Sequence, residues 1–357
     1  MIGTPWWAWA WPLLAWAMIG VLAIAGSTGA VSLLAGAVLI ACVFAAVYHA
    51  EVVAHRIGEP FGTLVLAVAV TVIEVALIVS IMLGFAADKS GLARDTVFAV
   101  VMIVCNGIVG ACLLAGGMRH HEQGFQLQGA SAALAVLAAL TVLSLIVPNF
   151  TTSSPGPAFS RPQLVFAGVV SLVLYGSFVF VQTVRHRDYF LPLPAGSDEH
   201  HEPPPSNRGA LVSAALLIVA LVAVVALAKS LTPALESIVS WFGAPKAVVG
   251  IAIALLVLLP EGLAALRAAA ANRLQTSLNL ALGSALASIG LTIPAVATVS
   301  ILLGEPLDLG LGVKDIVLLA LTLLVGVITL GTGRTTVLQG IVHLVIFATF
   351  LFLAVVP

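Results

Sequence analysis

Long apolar runs alternate with short polar breaks along the whole chain. With edges set by charge, Gly or Pro, the runs fall at about 8–26, 30–48, 61–86, 95–115, 129–147, 163–183, 210–229, 246–266, 277–302, 313–331 and 339–356. A helix needs about 20 consecutive apolar residues to cross a bilayer. The pattern therefore predicts an all-α polytopic membrane protein with about 11 transmembrane helices. No segment reads as a strand, and backbone groups in lipid must pair within a helix or a closed barrel.

Composition sharpens this picture. The 357 residues are 61% hydrophobic and 8% charged, against about 25% charged in soluble proteins. A net charge of −1 carries no nucleic-acid footprint. The three cysteines, Cys42, Cys105 and Cys112, sit inside apolar runs without CxxC spacing, so they read as packing residues rather than a disulfide or zinc framework. Residues 1–30 hold no Lys or Arg, while Trp6, Trp7, Trp9, Trp11 and Trp16 crowd the start. That composition predicts an interface-anchored first helix rather than a cleaved leader.

Lys and Arg divide eight to six between alternate loops, which predicts a cytoplasmic N-terminus and an outward C-terminus in a bacterial inner membrane. The longest polar stretch, 185–209, reads as a cytoplasmic linker. Its cluster Asp198, Glu199, His200, His201 and Glu202 offers a second reading as a cation-sensing segment.

Two segments resemble each other. GEPFGTLVLAVAVTVIE (Gly58 to Glu74) and GAPKAVVGIAIALLVLLPE (Gly243 to Glu261) each start Gly-x-Pro, run apolar and end at a lone glutamate. They fall in the third and eighth spans, and a five-span separation gives them opposite orientations. Inverted repeats of this kind hold the substrate sites of many secondary transporters. The expected organisation is an extra N-terminal helix in 1–28, a first five-helix repeat in 29–184, the linker in 185–209 and a second five-helix repeat in 210–357.

The chemistry rests on the two glutamates. Glu74 lies between VLAVAVTVI and VALIVSIML, and no Lys or Arg shares its span. An ionisable group at such depth is costly and is read as functional. Taking a carboxylate out of water disfavours its charged form, so it holds a proton or a cation. Glu261 follows Pro260, which lacks an N–H and is expected to break the helix and free a carbonyl. Two facing carboxylates would bind a hard cation such as Ca²⁺ or protons, in competition, and competition under alternating access is exchange.

Polar residues elsewhere are candidate ligands. Ser284, Ser288 and Thr292 recur at four-residue spacing and share one helix face. They stand as cation ligands or as hydroxyls bonded back to their own helix. Asn106 sits mid-span as a ligand or a packing group, and Thr71 shares the face of Glu74. His343 reads as a packing histidine and His120 and His121 as solvated. His49, Glu51 and His55 lie near a helix end, where pH sensing is open. No HExxH, GxSxG or P-loop occurs, so no enzyme is indicated. No cofactor is expected beyond the transported ions, and the expected partners are lipid, cations and protons.

The blocks GEPFGTLVLAVAVTVIEVALIVS, LLPEGLAALRAAAANRLQTSLNLALGSALASIGLTIP and GTGRTTVLQGIVHL resemble the bacterial calcium–proton antiporters. These are also described as sodium/potassium–proton antiporters, within the cation/calcium exchanger superfamily. The resemblance implies 11 helices, two inverted five-helix repeats and a central cation site. It places the acidic residues at Glu74 and Glu261 and the polar positions of the following helices at Asn106 and Ser284. Thr71 and Leu258 stand where the wider superfamily carries asparagines, which leaves fewer side-chain oxygens. The expected function is Ca²⁺/H⁺ antiport, with Na⁺(K⁺)/H⁺ antiport as the alternative. A cation channel fits less well, because an inverted repeat suits alternating access.

Overall fold

The computed structural model describes residues 5–26, 29–58, 61–84, 90–192, 205–241, 247–304 and 307–356. Its helices, in chain order, are α1 (Trp6–Ala25), α2 (Gly29–Ile57), α3 (Phe61–Gly84), α4 (Leu92–His120), α5 (Leu127–Phe150) and α6 (Arg161–Arg185). There follow α7 (Asn207–Trp241), α8 (Ala247–Ala270), α9 (Leu274–Leu303), α10 (Val313–Leu330) and α11 (Val337–Val355). Ten of them are long and apolar enough to cross a membrane, and α3 carries the shorter apolar stretch Leu64–Val79. The chain is a multi-pass, all-α membrane protein.

Several helices outrun the apolar segments that announce them. The second was expected to stop at 48, yet α2 continues to Ile57 and carries His49, Glu51 and His55 inside the helix. The seventh was expected to stop at 229, yet α7 runs to Trp241 through Pro233. An apolar run ends where water begins, whereas the i→i+4 ladder continues into the aqueous phase. Strands were not expected, but two short antiparallel pairings occur. Gln123 and Gly124 pair with Thr335 and Arg334, and Ala158 bridges Asp308.

The chain divides into two compact units. One comprises 1–89 and 198–249, the other 90–197 and 250–357. In the first, α2 packs on α1, α3 and α7, and α7 also packs on α1 and α3. Pro12 lies inside α1. It has no N–H, so the Ala8 carbonyl one turn earlier lacks its helix donor. His49 Nε2 of α2 donates to that carbonyl at 3.0 Å, and His49 is wholly buried. Trp16 Nε1 donates to Val219 O of α7 at 3.3 Å. Two side chains thus fasten α1 to its neighbours through backbone oxygens.

In the second unit, α9 is the central helix, packed on α4, α5 and α6, while α11 packs on α4 and α10. Close approach depends on two glycines. A Cβ on Gly340 would stand 2.5 Å from Leu114 N, and one on Gly110 would stand 3.0 Å from His343 Cβ. The starts of α6 and α11 carry their own caps. Ser160 N–H and Thr336 N–H donate to Gln163 and Gln339, three residues on, at 2.9 and 2.8 Å, as capping boxes do. The end of α8 is closed by side chains near the end of α4. Gln123 Nε2 donates to Ala269 O at 2.9 Å, and His120 bonds Ala270 O at 3.1 Å. His120 was expected to be solvated. It serves instead as a cap, because helix-end carbonyls need donors.

Candidate functional site

In the first unit, Glu74 lies in α3 and is wholly buried. The sequence around it is apolar on every side, so the helix forms and buries without regard to the charge it carries. Thr71, one turn earlier, is buried too. Its Oγ1 has no hydrogen-bond partner among the described residues. A buried hydroxyl in that state is suited to meet a ligand or water.

In the second unit, Glu261 lies in α8 and is half-buried. Pro260 was expected to break the helix there. It does not: α8 runs unbroken from Ala247 to Ala270. Proline removes a single N–H, and the flanking ladder carries the helix past it. What remains of the expectation is the Leu256 carbonyl, which loses its i+4 donor. Gly262 lies against α4, since a Cβ there would stand 3.1 Å from Ile108 Cδ1.

Ile108 ends a widened turn, Ile103–Ile108, in which α4 switches to i→i+5 bonding. Such turns recur at functional sites. Asn106 sits within it, wholly buried, and its carboxamide is engaged at both ends. Nδ2 donates to Thr322 Oγ1 of α10 at 2.8 Å, and Oδ1 accepts from His343 Nδ1 of α11 at 3.1 Å. Thr322 Oγ1 donates in turn to Leu318 O at 2.8 Å. His343 Nε2 meets Thr329 Oγ1 at 3.1 Å. Thr322 and Thr329 were not anticipated as partners, although both lie in an apolar helix seven residues apart and so share a face.

On α9, Ser284 is half-buried, Ser288 is 4% exposed and Thr292 is wholly buried. Thr292 Oγ1, like that of Thr71, has no partner among the described residues. It is therefore not bonded back to its own helix. Among the described residues, no group of three or more His, Cys, Asp or Glu side chains could hold a metal ion. The cluster Asp198, Glu199, His200, His201 and Glu202 lies outside the described residues, as do Gly243 and Pro245 of the second repeat motif.

The family described as sodium/calcium exchanger protein matches residues 27–184 and 212–356. The chain belongs to this family. It is 54% identical over 330 residues to the y4hA protein of Sinorhizobium fredii, spanning 91% of this chain and 88% of that one. It is 38% identical over 326 residues to the sodium-potassium/proton antiporter ChaA of Escherichia coli, spanning 90% and 88%. The fold is similar to the crystal structure of the H⁺/Ca²⁺ exchanger CAX, with a TM-score of 0.73 and 14% identity over 97% of this chain and 87% of that one. These exchanger-family members are transporters, and this chain shares their multi-pass helical build.

Proposed function

We propose that this protein is a secondary antiporter that exchanges Ca²⁺ for H⁺ across a bacterial inner membrane. Cation and protons compete for the carboxylates of Glu74 and Glu261, and alternating access turns that competition into exchange. The observation that carries the reading is Glu74, wholly buried in an apolar transmembrane helix of an exchanger-family chain. A carboxylate so placed cannot stay ionised without a cation near it. Thr71 and Thr292, buried and with no hydroxyl partner among the described residues, are the best-supported secondary ligands. Ser284 and Ser288 follow from their shared helix face.

Two observations support the inverted five-helix repeats. The family matches in two separate stretches, on either side of the linker. Within the second unit, the loop between α4 and α5 pairs with the loop between α10 and α11. The loop between α5 and α6 bridges the loop between α9 and α10. Third-to-fourth and fourth-to-fifth connections of the two repeats are thereby exchanged symmetrically. The N-terminus is assigned to the cytoplasm and the C-terminus to the outside, on the loop charges.

A monovalent cargo is the second reading. Ca²⁺ takes 6–8 oxygens. Leu258, one turn before Glu261, is apolar and 2% exposed, and the Asn106 amide is already engaged. ChaA, 38% identical, is named for sodium and potassium. Proteoliposomes with an acidic interior distinguish the two. External Ca²⁺ should alkalinise the lumen, and Glu74→Gln and Glu261→Gln should abolish the response. A response to Na⁺ or K⁺ alone would replace calcium as the cargo, and no response to any cation would overturn antiport.

A further inference from the structure

We propose that His343 is a positioning residue for exchange: through Asn106 it holds the widened turn of α4 against the turn of α8 that carries Glu261. The inference rests on the reading of Glu261 as an exchange carboxylate, and every group in it belongs to the second unit.

The proton of Thr322 sets the arrangement of His343. Thr322 Oγ1 gives its own proton to Leu318 O, so it accepts from Asn106 Nδ2. That fixes the Asn106 amide, and its Oδ1 can only accept, so His343 Nδ1 carries the proton between them. Nε2 of the neutral ring then accepts from Thr329 Oγ1. All four side chains are at most 3% exposed. A chain of donors and acceptors satisfied in this way, away from water, is rigid because breaking any one of its bonds leaves buried polar atoms unpaired.

The chain ends where α4 is widest. Three helices, α4, α10 and α11, converge on Asn106, in the middle of the turn Ile103–Ile108. Gly107 and Gly110 admit α11 there, since Cβ atoms would stand 3.2 Å from the Phe347 ring and 3.0 Å from His343 Cβ. The far side of the same turn presents Ile108 to Gly262, the residue after Glu261. Pro260 has already removed one backbone bond from that stretch of α8. With the ladder weakened, lateral support from Ile108 fixes how Glu261 is presented.

Backbone hydrogen exchange on the detergent-solubilised full chain reads this coupling without transport. His343→Leu should lower protection at 103–108 and also at 257–263. His343→Asn, whose amide can still donate to Asn106 Oδ1, should restore both. In proteoliposomes His343→Leu should raise the cation KM about ten-fold with a smaller change in kcat, and His343→Asn should bring it back. Thr322→Val should act in the same direction, and it replaces His343→Leu if that variant does not fold. Loosening confined to 103–108, a wild-type KM in a less heat-stable variant, or no rescue by His343→Asn would each overturn the proposal. An inactive wild type would remove the antiport reading, while loosening at 257–263 in His343→Leu would still uphold the coupling.

Discussion

The two units treat buried polar groups differently. In the second, polar side chains bond to one another and to backbone carbonyls across helices. Asn106 joins α10 and α11, Gln123 closes α8, and Asn279 Nδ2 reaches Phe190 O at 2.6 Å. In the first, the hydroxyls of Thr71 and Ser213 are buried with no partner among the described residues. There the helices are joined by apolar packing, by a few side-chain bonds to backbone oxygen, those of His49 and Trp16 among them, and by Arg56 of α2 donating to Asn207 at the start of α7. In a membrane interior a polar group is either glue or function, because leaving it idle is costly. Polar groups in the second unit are largely glue, apart from Ser277 and Thr292, whose hydroxyls have no partner among the described residues. In the first, the turn of Thr71 and Glu74 is the one proposed for function.

The comparison can be broken from either side. The largest effect is expected at Glu74. Glu74→Gln should reduce cation-driven proton flux to background while leaving a folded protein, as judged by gel filtration and thermal unfolding. Next is Gly340→Val in the second unit. Its side chain would enter the backbone of α4, and overpacking of that kind costs about 1–3 kcal/mol or more, read as lost yield of monodisperse protein. Third is His49→Ala, which strands the Ala8 carbonyl at about 1–3 kcal/mol. Pro12→Ala supplies the missing N–H, so the double variant should regain most of the loss, and its thermal midpoint tests this. Smallest in stability is Thr71→Val, because the hydroxyl has no partner among the described residues to lose. It should leave the thermal midpoint unchanged or raised while weakening apparent cation affinity. A large stability loss would make Thr71 glue and erase the contrast between the units.

Much of the architecture was legible in the chain. The apolar runs announced the helices, and the lone glutamates in the third and eighth suggested the proposed chemistry, because a charge in an apolar run has no cheap structural excuse. Helix ends were less legible, as α2 and α7 show. Hydropathy reports the edge of the lipid, whereas a helix ends where its hydrogen bonds are capped. The effect of Pro260 was misjudged for a related reason: a missing donor at one residue is a local fact, and the survival of the helix depends on its neighbours.

The amino-acid sequence by itself determined that this protein lives in a membrane as a bundle of about 11 apolar helices, and it marked Glu74 and Glu261 as the carboxylates of the proposed chemistry. These follow from composition and spacing, which act through the solvent and need no partner. Only the tertiary structure decided the part played by each other polar residue. Asn106 became the anchor of three helices and His49 the donor for a proline-stranded carbonyl, while the hydroxyls of Thr71 and Thr292 found no partner among the described residues. A hydrogen bond is a property of two groups, and the second is found only when the chain has folded.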